Sequence, residues 1–152
     1  MPVLICYDDS ASARRALEVA ASTLDGTPAI LVHVWNPPER VLADAFGLRD
    51  DDAGPDYASL ETAITDRAGE VLAAGEARAR ELGVTVKPRP ERNGSSVWQT
   101  ILDVAEDVDA DLIVTGTHGD TAVQSGLLGS VSNALVHHSR RPVLVVPDPG
   151  VG

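Results

Sequence analysis

Short apolar runs alternate along this chain with segments whose apolar positions recur at helical spacing. Val3-Leu4-Ile5-Cys6-Tyr7 reads as a fully buried first strand, and Asp8-Asp9-Ser10 ends it and offers caps for a helix carrying Ala13, Ala16, Leu17, Ala20 and Leu24. Gly26 closes that helix, and Ala29 to Trp35 supply a second near-continuous apolar strand, stopped by Asn36-Pro37-Pro38. From Tyr57 to Leu82 the positions Leu60, Ile64, Ala68, Val71, Leu72, Ala79 and Leu82 keep a helical period that Gly83 ends. Val84-Thr85-Val86-Lys87-Pro88 reads as a short third strand, its proline and charge suiting a place near an edge. Gly94-Ser95-Ser96 introduces a helix with Val97, Ile101, Ala105 and Val108 on one face. Asp111-Leu112-Ile113-Val114-Thr115 is a fourth buried strand, Val131, Ala134, Leu135 and His138 mark a last helix, and Arg141 to Pro147 hold a fifth strand bounded by prolines.

Strands that are apolar throughout, alternating with amphipathic helices, predict an α/β domain with a doubly wound, five-stranded parallel sheet covered by helices on both faces. Such sheets bind ligands beyond the carboxyl ends of their strands, where the strand order reverses. Asp8 ends the first strand and Gly116 the fourth, which places both to line one crevice. Residues 36–56 carry three of the chain's ten prolines, Asp50-Asp51-Asp52 and a weakly apolar patch at Val41, Leu42, Ala45 and Phe46. They are expected to form a long connection, either a lid or a solvated loop with a short helical turn. The expected organisation is a single domain over 1–147 and a flexible tail over 148–152.

At 152 residues and 43% hydrophobic content the chain can bury one sizeable core and is too short for two domains. No apolar stretch approaches the roughly 20 residues that span a bilayer, and the start lacks the basic flank and apolar core of a secretory signal, so a cytoplasmic place is expected. The net charge of −11 would repel nucleic acid and anionic membrane. Cys6 is the one cysteine, so an intrachain disulfide is impossible and a buried structural thiol is expected. Lys87 is the one lysine, which removes a phosphate loop of the Gly-Lys-Ser/Thr kind.

The chemistry concentrates in Gly116-Thr117-His118-Gly119, a spacer, and Gly129-Ser130. Gly116 stops a buried strand, where a missing side chain frees backbone angles and lets a ligand approach the main chain. Gly129-Ser130 opens a helix whose first amides have no internal partners, and such ends attract anions, phosphate above all. Each residue also has a plainer role: Ser130 as a helix cap, Asp8 as a cap rather than a ligand, His118 as a packed loop imidazole rather than a general base. His137 and His138 are adjacent and point to different helix faces, which does not make a zinc pair. His33 is most simply a hydrogen-bonded core residue. Ser125, Ser130 and Ser132 lack a Gly-x-Ser-x-Gly elbow, and no arginine or lysine lies between Thr115 and Ser132 to stabilise phosphoryl transfer.

The pattern Gly116-x2-Gly119-x9-Gly129-Ser130, between Asp111-Leu112-Ile113-Val114 and Pro142-Val143-Leu144-Val145-Val146, resembles the nucleotide-binding signature of the universal stress protein family. Asp8-x-Ser10 after an apolar strand and His33-Val34 ending the second are similar to that family too, so the resemblance covers essentially the whole chain. It implies a Rossmann-like sheet in the order 3-2-1-4-5, ATP or AMP in the crevice, a role in stress response as a nucleotide-sensitive regulator, and a homodimer through the fifth strand at Val143, Leu144, Val145 and Val146. By position, Asp8 would contact the ribose, with Tyr7 and the backbone of Val34 near adenine and ribose. Gly116, Thr117, His118 and Gly119 would wrap ribose and phosphates, and Gly129, Ser130, Val131 and Ser132 would take phosphate oxygens. Two positions depart from the family pattern: Asp9, where glycine is frequent, and Asp120, where a basic or neutral residue is frequent. Both add negative charge beside a polyphosphate, so Mg²⁺ or Mn²⁺ held through the phosphates is expected, with no direct protein ligand. The rival expectations are a nucleotide-free dimeric interaction module, in which Asp9 and Asp120 disable the pocket, and a slow ATPase using His118 and a metal.

Overall fold

The structure, a computed structural model, describes residues 2–46, 57–117 and 128–148, without the side chains of residues 44–46. Its elements run β1 (Val3–Cys6), α1 (Ala11–Thr23), β2 (Ala29–Trp35), α2 (Pro38–Phe46), α3 (Tyr57–Glu81), β3 (Val86–Arg92), α4 (Val97–Asp107), β4 (Leu112–Gly116), α5 (Ser130–His138) and β5 (Val143–Val146). All strands are parallel in the order β3-β2-β1-β4-β5.

Successive side chains of a strand point to opposite faces, and here both faces are buried. Ile5 and Leu31 face the helices α1 and α3, packing with Leu17, Leu72 and Val114. Leu4 and Val32 face α4 and α5, packing with Ile101, Ile113 and Leu135. That two-sided burial is why β1 and β4 read as unbroken apolar runs. Because β1 leads leftward to β2 while β4 leads rightward to β5, their carboxyl ends diverge at the centre of the sheet and open the crevice that this topology creates.

Two elements differ from the sequence reading. The connection over 36–56 contains the helix α2, and its prolines start it rather than break it. Pro38, fully buried, sits at the first helical position, where no amide donor is needed, and the carbonyl of Pro37 accepts from the amides of Arg40 and Val41. Residues 47–56 lie outside the described residues, as do 149–152 of the expected tail.

The third strand runs on to Arg92 instead of ending at Pro88. Asn93 donates its amide to the carbonyl of Trp35 on β2, and amides alternate sides along a strand, so Lys87, Arg89 and Glu91 also turn theirs inward. Pro88 and Pro90 therefore fall on the outer side, where a missing donor breaks no bond of the ladder. Arg89, paired with Glu91 at 2.7 Å and Asp107 at 2.8 Å, fixes this edge to α4.

Candidate functional site

The turn from β1 into α1 is Tyr7-Asp8-Asp9-Ser10. Ser10 caps α1, its hydroxyl accepting from the amide of Ala13 at 3.1 Å. The capping alternative for Asp8 is thereby settled against it: its Oδ1 accepts from the Ser10 amide at 3.1 Å and folds the turn, which holds the carboxylate at the carboxyl end of β1.

Asp9 has a left-handed backbone, φ 63°, which explains why glycine suits this position. Its carboxylate is tied by the hydroxyl of Tyr7 at 2.8 Å and by Arg14 Nε at 3.2 Å. Burial works to raise the Asp9 pKa, but the bonds from Arg14 and Tyr7 outweigh it and hold the acid below the usual carboxylate range. The charge expected to oppose a polyphosphate at Asp9 is thus already balanced by a neighbouring guanidinium. Asp120 lies outside the described residues.

The side chain of Tyr7 is committed to the core. Its ring is buried on the α1 and α3 face beside Gly75, where an added Cβ would stand 2.9 Å from Cε2. Its carbonyl lies 2.9 Å from His33 Nδ1, which gives His33 the core hydrogen bond expected of it. Val34, one residue before the end of β2, lies beside this turn and packs partly against the α4 and α5 side.

On β4 the structure revises the role of Gly116. Its backbone does not take the left-handed form seen at Gly26 and Gly83; what it needs is space. A Cβ at 116 would come within 2.2 Å of Ser12 Oγ and 2.8 Å of the Ser12 carbonyl group, so the missing side chain is what admits α1. Next to it, the Thr117 amide donates to Ser12 Oγ at 2.8 Å, and the two hydroxyls are 3.4 Å apart. The Thr117 carbonyl accepts from the Gly129 amide at 2.6 Å and from Ser132 Oγ at 3.0 Å. His118 and Gly119 lie outside the described residues.

The cap of α5 is Gly129, not Ser130, and no side chain caps this helix. Ser130 is the first helical residue and exposed; Ser132 is buried and spends its hydroxyl on the carbonyls of Thr117 and Gly129. The α5 start thus offers main-chain donors, with Ser130 Oγ beside them, at the end of β4 next to the Asp8 turn.

Sequence reasoning missed Ser12, whose signal was the pairing of a small residue in the first turn of α1 with a glycine ending β4. It also missed a cluster at the ends of β2 and β3: Arg92 lies over the Trp35 ring at 5.7 Å and bonds Glu39, which also accepts from Tyr57. Burial, with help from Asp8 and against a Thr115 hydrogen bond, pushes the Cys6 thiol up to about 12, which fits an inert structural cysteine. His137 Nδ1 lies 2.9 Å from the Asn133 carbonyl while His138 stacks on Trp98, so the two rings serve different neighbours. Among the described residues no group of His, Cys, Asp or Glu is placed to hold a metal, and no helix is long and apolar enough to cross a membrane.

Comparison with known proteins gives a consistent result. Residues 1–147 match the model of the Universal stress protein family. Universal stress protein MJ0577 of Methanocaldococcus jannaschii is 30% identical over 159 residues, spanning 95% of this chain and 93% of that protein. The solved structure of MJ0577 superposes with a TM-score of 0.76 at 27% identity, covering 96% of this chain and 94% of the other. Universal stress protein Rv2005c of Mycobacterium tuberculosis is 31% identical over 149 residues, 95% of this chain, which spans 44% of that relative's length. The universal stress protein from Archaeoglobus fulgidus, solved in complex with dAMP, superposes with a TM-score of 0.65 at 26% identity, covering 96% and 97%.

Proposed function

The chain belongs to the universal stress protein family, and on that premise we propose that it binds an adenine nucleotide between β1 and β4 and acts in the cytoplasm as a nucleotide-sensitive regulator in stress response. The observation that carries this reading is the uncapped start of α5, tethered to Thr117 beside the Asp8 turn. Asp8 keeps a second carboxylate oxygen for ribose hydroxyls, and the Val34 backbone borders the base. Gly116 and Thr117, with His118 and Gly119, follow the ribose and phosphates. The amides of Ser130, Val131 and Ser132, with the Ser130 hydroxyl and the Gly129 backbone, take phosphate oxygens. Helix-end charge contributes only about 0.3–1 kcal/mol, so several donors must converge. Tyr7 acts indirectly, by holding Asp9 and with it the turn.

With a net charge of −11 and no lysine or arginine between Thr115 and Ser132, ATP is expected to enter with Mg²⁺ or Mn²⁺ bridging its phosphates. The dimer is assigned to β5, because the opposite edge of the sheet lacks outward donors at Pro88 and Pro90.

Calorimetric titration with ATP, AMP and cyclic AMP, each with Mg²⁺ and with EDTA, tests the reading. ATP is expected to bind, more tightly with Mg²⁺, and Asp8→Ala to weaken it about 10–100-fold, the loss of a hydrogen bond to a charged group at about 1.5–3 kcal/mol. Absence of heat for every nucleotide, with none copurifying, would leave the nucleotide-free interaction module as the function of this domain.

A further inference from the structure

Resting on the nucleotide reading, we propose that Ser12 is a positioning residue: it fixes Thr117, and through Thr117 it sets where the α5 amides stand. Ser12 is 3% exposed in the first turn of α1, and its hydroxyl accepts an amide 105 residues away in sequence. The close approach this needs exists only because residue 116 has no Cβ. Thr117 then turns its carbonyl to the other side of the sheet, where the Gly129 amide and the Ser132 hydroxyl both donate to it. The helices α1 and α5 pack on opposite faces, so they share no apolar cluster through which one would place the other. The chain of polar contacts Ser12, Thr117, Gly129 and Ser132 connects them through the end of β4.

This gives Ser12 a role separable from packing. The ribose end of the crevice belongs to the turn before α1, and the phosphate end belongs to α5. With Ser12 in place the spacing between the two ends is set before a ligand arrives, which lowers the ordering cost of binding a molecule that touches both. A ligand that reaches the ribose end alone gains nothing from that spacing.

The test uses the full chain with Ser12→Ala and two readouts. In ligand-free protein, amide hydrogen exchange followed by NMR is expected to speed up at Thr117 and also at Gly129, whose amide is bonded to the Thr117 carbonyl, while Ile5 and Val114 in the sheet centre stay protected. In titrations, ATP affinity is expected to fall about tenfold and adenosine affinity much less, a difference near 1.4 kcal/mol. Unchanged protection of Gly129, or equal weakening of ATP and adenosine, overturns the proposal. If Ser12→Ala does not fold, Ser12→Cys keeps the size, weakens the acceptor and is read in the same way. A wild-type chain that binds neither ligand defeats the nucleotide reading, and the exchange readout still decides the role of Ser12.

Discussion

Replacing Gly116 by alanine asks whether the α1 to β4 contact is as tight as the geometry states. The new methyl would stand 2.2 Å from Ser12 Oγ and 2.8 Å from both the carbonyl carbon and oxygen of Ser12. The hydroxyl can rotate away, but the backbone atoms belong to a helix and cannot move alone, so α1 must lift from the strand. Overpacking of this kind costs about 1–3 kcal/mol. Displacing Ser12 also strands the Thr117 amide, which adds about 1–3 kcal/mol for an unsatisfied donor. Together they reach about 2–6 kcal/mol, a large part of the roughly 5–15 kcal/mol that stabilises a typical domain. For a chain of this size the melting temperature should drop by roughly 5–20 °C. Gly69→Ala is the control: it lies exposed within α3 with nothing within 4 Å, and should stabilise by about 0.5–1 kcal/mol through helix propensity. Thermal and urea unfolding of the two variants beside wild type decides the matter. A Gly116→Ala protein that melts with Gly69→Ala would falsify the claim that backbone atoms, rather than a mobile hydroxyl, fill that space.

Two further outcomes follow from the turn and the sheet edge. Tyr7→Phe removes the hydroxyl that donates to Asp9 and should cost about 1–2 kcal/mol near neutral pH. The Asp9 carboxyl is held below the usual carboxylate range in the folded state, so this contribution is present above the unfolded chain's pKa and lost as pH falls through the folded value. Urea melts of wild type and variant should therefore converge in acid, and a gap that widens there would contradict the assigned charge state. Val145→Asp places a carboxylate on the half-exposed edge strand β5 and should yield monomer by sedimentation without loss of helical signal. An unchanged mass would refute the dimer contact proposed at β5.

The sheet was legible in the sequence because its strands are buried on both faces, which leaves unbroken apolar runs at β1, β2 and β4 that little else in the chain imitates. The prolines were legible in part: Asn36-Pro37-Pro38 does stop β2 and the proline at 88 does mark an edge strand, but the helix that follows Pro37 and the run of β3 on to Arg92 were not read. At Pro38 proline begins a helix, and at Pro88 and Pro90 it lies on the outer side of an edge strand, and in each case the missing donor has no bond to lose. The α5 start was placed to within one residue, but the division of labour between Gly129 and Ser130 depended on backbone geometry that a Gly-Ser pair does not encode. Ser12 and Thr117 were separated by too much chain for any local pattern to join them. The Asp9 charge looked unfavourable in one dimension because Arg14 and Tyr7, its partners, each have plainer uses as helix surface and strand core.

The prolines of β3 also bear on how far the pairing proposed at β5 could extend. A sheet with two receptive borders can add copies without end, whereas one whose far border lacks the donors of Pro88 and Pro90 is a poor second border, which leaves β5 as the favoured edge for a partner copy. In the dimer proposed at β5, self-association by that route would close on a pair, and the same prolines that spare the molecule a growing fibre would limit its stoichiometry.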